Sequence, residues 1–172
     1  MITLLQARRS IRKYKADRIA ENIIETLKEA VLRSPSSRGI NPWEFIFVDD
    51  PGLLAQLSSA KEHGSSFLKQ AGLGVVVCGD ETQSDVWVED CAIASIILQL
   101  VAQSLGLGTC WIQIRNRMHN EATTSEQYVQ QVLNIPEHIK VEAIISIGYP
   151  AEVKKPHPKS SLAYRKINLN TY

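Results

Sequence analysis

The sequence has no excess of charge of either sign. Its 19 lysines and arginines stand against 18 aspartates and glutamates, a formal net charge of +1 over 172 residues. A near-neutral chain makes no general field for nucleic acid or an anionic membrane, so any basic chemistry has to be local. Cysteine is scarce: Cys78, Cys91 and Cys110 are odd in number and form no Cys-x-x-Cys pair. That argues against a disulfide framework and for three small core residues. His63, His119, His138 and His157 are scattered without a His-x-x-x-His spacing, so no metal site is expected. Long apolar runs are missing too. The longest, Ala92 to Ala102, is broken by Ser95 and Gln99 and falls short of the ~20 residues of a membrane span. Met1 to Leu5 is too short for a signal-peptide apolar region and soon meets Arg8 and Arg9. A soluble, cytoplasmic chain with neither nucleic acid nor membrane as partner is the expectation. Glycine is present, but Gly72-x-Gly74 precedes a strand and Gly106-x-Gly108 lacks a third glycine before a helix. This excludes a Rossmann fingerprint, and neither a Walker A sequence nor a Gly-x-Ser-x-Gly elbow occurs. With no nucleophile, triad or metal set in view, no catalytic side chain is named, and hard chemistry falls to a bound cofactor.

What is there alternates between helical periods and short apolar runs. Ile23, Ile24, Leu27, Ala30 and Val31 share one face of a helix over about 20–34, stopped at Pro35. Residues 43–48 (WEFIFV) read as a strand. Asp50 caps a helix that starts at Pro51 and runs to about Ala60. Residues 74–79 read as a buried strand. A long helix over 86–105, apolar nearly all round, stops at Gly106; such a helix belongs in the middle of a fold or at a subunit interface. A third strand spans 109–114. Thr124 and Gln127 make a capping box for a helix to about Leu133, and a fourth strand spans 141–147. With no repeat and no interior linker, residues 1–172 are expected to form a single domain mixing helices and strands. Residues 151–172 differ. Pro156 and Pro158 stiffen them, and Ile167, Leu169 and Thr171 alternate as in an added strand. A C-terminal arm docked on another surface is expected, since ordering each residue costs about 1–2 kcal/mol.

Three clusters can carry chemistry. In the first, Arg8, Arg9, Ser10 and Arg12 stand together; guanidinium forks match phosphate oxygens, and a hydroxyl adds a donor. By itself such a run is as readily a solvated basic turn. The second, Pro35 to Trp43 (PSSRGINPW), presents hydroxyls, an amide and backbone donors between a helix and a strand; alone it is equally an ordinary connection. In the third, Gly106 to Ile114, a glycine ends a helix and a strand with a tryptophan begins at once. Its plain alternative is a turn with a core tryptophan.

In this order the clusters resemble the nitroreductase family of FMN-dependent oxidoreductases, over nearly the whole chain. The resemblance extends to Asp90 and Ala94 of the long helix and to Gly148-Tyr149-Pro150 with its basic tail. It implies an α+β, nitroreductase-like fold, with a central, mostly antiparallel sheet flanked by helices in an intertwined homodimer. Two FMN sites would lie at the subunit interface. Arg8, Arg9, Ser10 and Arg12 would hold the phosphate and ribityl chain, and Lys159 would approach that phosphate. Pro35, Ser36, Ser37 and Asn41 would reach the flavin from the partner subunit. Trp111, Ile112 and Gln113 would run beside the isoalloxazine and offer backbone amides, with Cys110 near the cofactor but not a nucleophile. The arm, 151–172, would pack on the partner. The implied activity is ping-pong electron transfer from NADH or NADPH to a small-molecule acceptor such as a nitroaromatic or quinone. The same fold also serves dehalogenation, enoyl or azoline oxidation, flavin fragmentation and non-catalytic FMN carriage or sensing, and the residues do not separate these. Gly39 stands where many members have Asn, and Gln113-Ile114 where many have Gly-Gly or Glu-Gly. Arg115, Arg117 and His119 are not general to the family; they line a substrate mouth or are solvated.

Overall fold

Period-two alternation sorts strand side chains to two faces, and here each face has its own core. The computed structural model describes all 172 residues. Four strands, β1 Trp43–Val48, β2 Leu73–Asp80, β3 Gly108–Gln113 and β4 Ile139–Gly148, form one sheet in the order β1-β2-β4-β3. Every neighbouring pair is antiparallel. Five α-helices accompany it: α1 Ile2–Ala7, α2 Glu21–Leu32, α3 Pro51–Leu57, α4 Trp87–Ser104 and α5 Ser125–Leu133. Val75, Val77, Ile145 and Ile147 face one way and pack with Leu27 and Val31 of α2 and Leu98 of α4. Val76, Cys78, Ile112 and Ile144 face the other way and pack with Leu54 and Leu57 of α3 and Val129 of α5. The architecture is α+β, a sheet between two helical layers, and no helix is long and apolar enough to cross a membrane. All three cysteines are free and buried.

Local chemistry sets the boundaries. Asp50 Oδ1 accepts from Leu53 N at 2.8 Å, and Pro51 follows as the first helical residue. α3 stops at Leu57 rather than Ala60 because its last turn tightens: Ser59 N donates to Gln56 O and Ala60 N to Leu57 O. Both halves of the Thr124–Gln127 capping box are made, at 3.1 and 3.0 Å. α4 ends before Gly106, whose φ of +80° is open to glycine at no steric cost.

Two features depart from the sequence reading. The opening residues make a short helix, α1, held to α4 by Gln103 Nε2 donating to Leu4 O at 3.2 Å. The alternating Ile167, Leu169 and Thr171 make no strand; the arm instead has two 3₁₀ turns, Lys159–Ser161 and Tyr164–Lys166. Alternation alone does not make a strand, which needs a second backbone for its ladder.

Candidate functional site

β3 is an edge strand, and one bond sets the phase of its ladder: Ile114 N donates to Glu142 O at 3.2 Å. Gly108, Cys110 and Ile112 therefore pair with β4, while Thr109, Trp111 and Gln113 turn their N–H and C=O groups outward. The outward carbonyl of Thr109 accepts from Ile11 N at 2.9 Å, within a parallel bridge between Ser10 and Thr109. Past that bridge, the amides of Trp111 and Gln113 face the open edge. Gly108 permits the close approach, because a Cβ there would stand 2.8 Å from Ile11 Cβ. Tyr14 ties down the segment behind it: its hydroxyl donates to Ile11 O at 2.7 Å and lies 2.7 Å from Ser146 Oγ.

This anchoring carries the basic cluster to the end of β3. Arg9 donates to the Lys155 carbonyl, and the Arg12 amide donates to Glu152 Oε1 at 2.6 Å. The Arg12 guanidinium lies 5.7 Å from the Phe67 ring centroid. Lys154 Nζ donates to Ser10 O at 2.7 Å. Arg8 and Lys159 both line a groove of about 630 Å³ between α1 and the arm. None of Arg8, Arg9, Arg12 and Lys159 is paired with a carboxylate. Uncompensated cations gathered in this way suit a ligand with more than one negative charge.

Cys110 registers that convergence. Burial pushes its thiol pKa up, opposed by Arg12, a hydrogen bond with Ser10, Lys154 and Arg8. A thiol kept protonated is a poor nucleophile. Cys110→Ser is therefore expected to keep acceptor reduction within a few-fold; total loss with cofactor still bound would reveal thiol chemistry. Lys61 arrives at the same place from the turn after α3: burial and Arg117 lower its pKa, and Cys110 opposes this. Sequence reasoning missed Lys61 and Lys154. The basic tail hinted at Lys154, whereas nothing in its surroundings set Lys61 apart from a solvated turn residue.

The residues of β3 divide. Ile112 is 1% exposed and packs against the core, its amide turned to β4. Ile114 is fully buried in that core, so its bulk points away from the open edge. Gln113 is tied by its side chain: Oε1 accepts from Trp111 Nε1 at 2.9 Å, and Nε2 donates to Arg115 O and to Glu142. What Gln113 offers outward is its backbone.

The Pro35–Asn41 loop is elsewhere. Ser36 Oγ accepts from Asn41 N at 2.8 Å and donates to Asn41 Oδ1 at 2.7 Å. Ser37 N donates at 2.8 Å to Asp90 Oδ1, a buried carboxylate whose other oxygen has no partner. Arg38, Gly39 and Asn41 have φ of +54°, +67° and +56°. Gly39 takes that region at no steric cost. This loop leads into β1, the opposite edge of the sheet, three strand spacings or roughly 14 Å from β3. Within one chain, then, the arginines, Lys159 and the outward amides come together, and Ser36, Ser37 and Asn41 do not join them.

Beyond β3, Arg115 lies 5.9 Å from the Trp87 ring centroid. His119 stacks on Tyr128 at 4.0 Å, with Nδ1 2.8 Å from Ser59 O. That ring is a clasp between a loop and the end of α3.

Comparison with known proteins gives a consistent result. The profile described as Nitroreductase family matches residues 5–64 and 50–149. A protein of Archaeoglobus fulgidus, provisionally named NADH dehydrogenase/NAD(P)H nitroreductase, is 34% identical over 89% of this chain and 87% of its own. The solved structure of an FMN-dependent nitroreductase from Clostridium difficile superposes with a TM-score of 0.98 at 44% identity, covering all of both chains. An NADPH:FMN oxidoreductase from Vibrio harveyi, solved in complex with NAD+, superposes with a TM-score of 0.84 at 26% identity, over 99% of this chain and 77% of that one.

Proposed function

The chain belongs to the nitroreductase family, and from that premise we propose that it is an FMN-dependent oxidoreductase passing electrons from NADH or NADPH to a small organic acceptor. The observation that carries the reading is the meeting, on one sheet edge, of uncompensated cations with outward backbone amides. A phosphate monoester needs several donors at once, and a planar heterocycle at the same edge can accept from the strand. When bound, FMN supplies the redox chemistry that no side chain here offers. The residues of the chain bind and orient. Arg8, Arg9, Ser10, Arg12 and Lys159 hold the phosphate and ribityl chain; Trp111 and Gln113 present amides; Ile112 backs them from the core. Lys61 adds positive charge nearby, while Lys154, itself paired with Glu152 at 3.2 Å, holds the Ser10 carbonyl. With donor and acceptor taking turns at the same bound flavin, the order would be ping-pong.

The site needs a second copy. As the family resemblance implies, Pro35, Ser36, Ser37 and Asn41 would reach the flavin from the partner of a homodimer; within one chain they lie at the far edge of the sheet. Apolar surface supports this. Ile93 and Ile96 form an exposed pair one turn apart on α4, and Leu162, Ile167, Leu169 and Tyr172 are exposed along the arm. A surface of this kind marks an interaction site.

The test is direct. The purified protein is expected to be yellow, to release FMN on denaturation, and to oxidise NADH or NADPH in steady state when a quinone or nitroaromatic is supplied. A chain that binds no FMN ends the reading. A yellow protein without turnover across a panel of acceptors is a carrier rather than an enzyme.

A further inference from the structure

Glu142 is a buried carboxylate that FMN binding, as described, leaves without a task. It stands at a β-bulge. Val77 pairs with Ala143 and Cys78 with Val141, so Glu142 is the extra residue on β4. A bulge re-aims a side chain and recurs beside functional sites. This one is aimed at β3. Glu142 Oε1 accepts from Gln113 Nε2 at 3.3 Å, and the Glu142 carbonyl accepts from the same nitrogen at 3.3 Å. Gln113 Nε2 also donates to Arg115 O at 3.1 Å. With its donors committed, Gln113 turns Oε1 to Trp111 Nε1, 2.9 Å away. Glu142 Oε2 has no hydrogen-bond partner, and Arg115 Nε lies 4.0 Å from it. A well-packed apolar residue would be at least as stable in such a place, so stability alone does not account for this carboxylate.

We propose that Glu142 is a positioning residue, which through Gln113 holds the Trp111 indole and the Trp111–Gln113 backbone facing the flavin. The proposal rests on the flavin reading above. Its logic is donor–acceptor parity. An ionised carboxylate only accepts, so together with the Glu142 and Arg115 carbonyls it draws the Gln113 N–H groups inward and leaves the oxygen for Trp111. A protonated carboxyl, or an amide at 142, can also donate. Gln113 Nε2 then loses one of its three acceptors, and the carboxamide that receives the indole N–H is held less firmly. The charged groups that reach Glu142 are Arg115 beside it, Glu126 on α5 and Glu89 on α4. Burial raises its pKa above the ordinary value; Gln113 and Arg115 oppose this, and the two glutamates add to it. Loss of the relay therefore falls at a higher pH than for a free glutamate.

Glu142→Gln in the full-length protein tests this. The Trp111 indole N–H resonance, assigned with Trp111→Phe, should shift with pH in the unaltered chain, with a midpoint above the ordinary glutamate range. In Glu142→Gln that titration should vanish. With FMN bound, the variant should stay yellow while its flavin midpoint potential shifts and kcat falls several-fold. Gln113→Met removes the relay but keeps the carboxylate, and should shift the potential in the same way even where Glu142→Gln folds poorly. An indole signal that does not titrate overturns the proposal, as does an unchanged potential and kcat in both variants. A colourless unaltered protein overturns the flavin reading instead, and the indole titration then still decides whether the relay exists.

Discussion

Arg8→Ala is expected to weaken FMN binding by about ten- to a hundredfold while leaving riboflavin binding nearly unchanged. A hydrogen bond to a charged group contributes about 1.5–3 kcal/mol, and each 1.4 kcal/mol is about tenfold in affinity. Riboflavin has no phosphate and does not feel the loss. Arg8 is the cleanest probe in the cluster. Arg12 also rests on Phe67, and Arg9 is engaged with the Lys155 carbonyl, so replacing either disturbs protein contacts as well. Arg8 has no carboxylate partner and borders the groove shared with Lys159. Titration of the apoprotein with both ligands, by flavin fluorescence, reads the difference. Equal weakening of FMN and riboflavin would mean that Arg8 supports the fold and does not bind phosphate.

Truncation after Glu152 is expected to abolish both the dimer and the colour. The removed segment supplies the Lys154 bond to Ser10, the Lys155 carbonyl that receives Arg9, and Lys159. It also supplies the arm's apolar side chains, and every residue from Lys155 to Tyr172 is exposed on its own chain. Fixing each residue costs about 1–2 kcal/mol, and an arm whose large apolar side chains stay at least half exposed against its own chain recovers little of that cost. In the proposed homodimer, the second subunit is the surface on which it would. Size-exclusion chromatography should show the truncated chain monomeric or aggregated, without flavin absorbance. A stable yellow dimer from the same truncation would remove the arm from both roles.

Much of the fold was legible in contiguous residues, because periodicity and capping act over a few positions. WEFIFV became β1 with the boundaries that the run suggests, and Thr124 with Gln127 capped α5 as their spacing requires. The proline, glycine and aspartate signals placed most ends to within a residue or two. They failed where the last turn of α3 tightened, and at α1, whose six residues depend on contact with α4. A helix that short has little stability of its own, so local sequence does not announce it.

The sequence by itself determined which residue types were available: a run of arginines, a hydroxyl-rich loop, a glycine-led strand and a basic tail with apolar positions. It also determined the two-faced strands, since alternation is written residue by residue. Only the tertiary structure decided which of these groups meet. Ser10 lies against Thr109, and Lys154 against Ser10, because the chain returns on itself between residues far apart in sequence. The outward turn of Trp111 and Gln113 follows from ladder phase, which a single bond between Ile114 and Glu142 sets. The bulge that aims Glu142 at Gln113 is a property of how β2 and β4 pair, and neither strand shows it alone. Long-range pairing creates these contacts, and no local pattern encodes a partner's register.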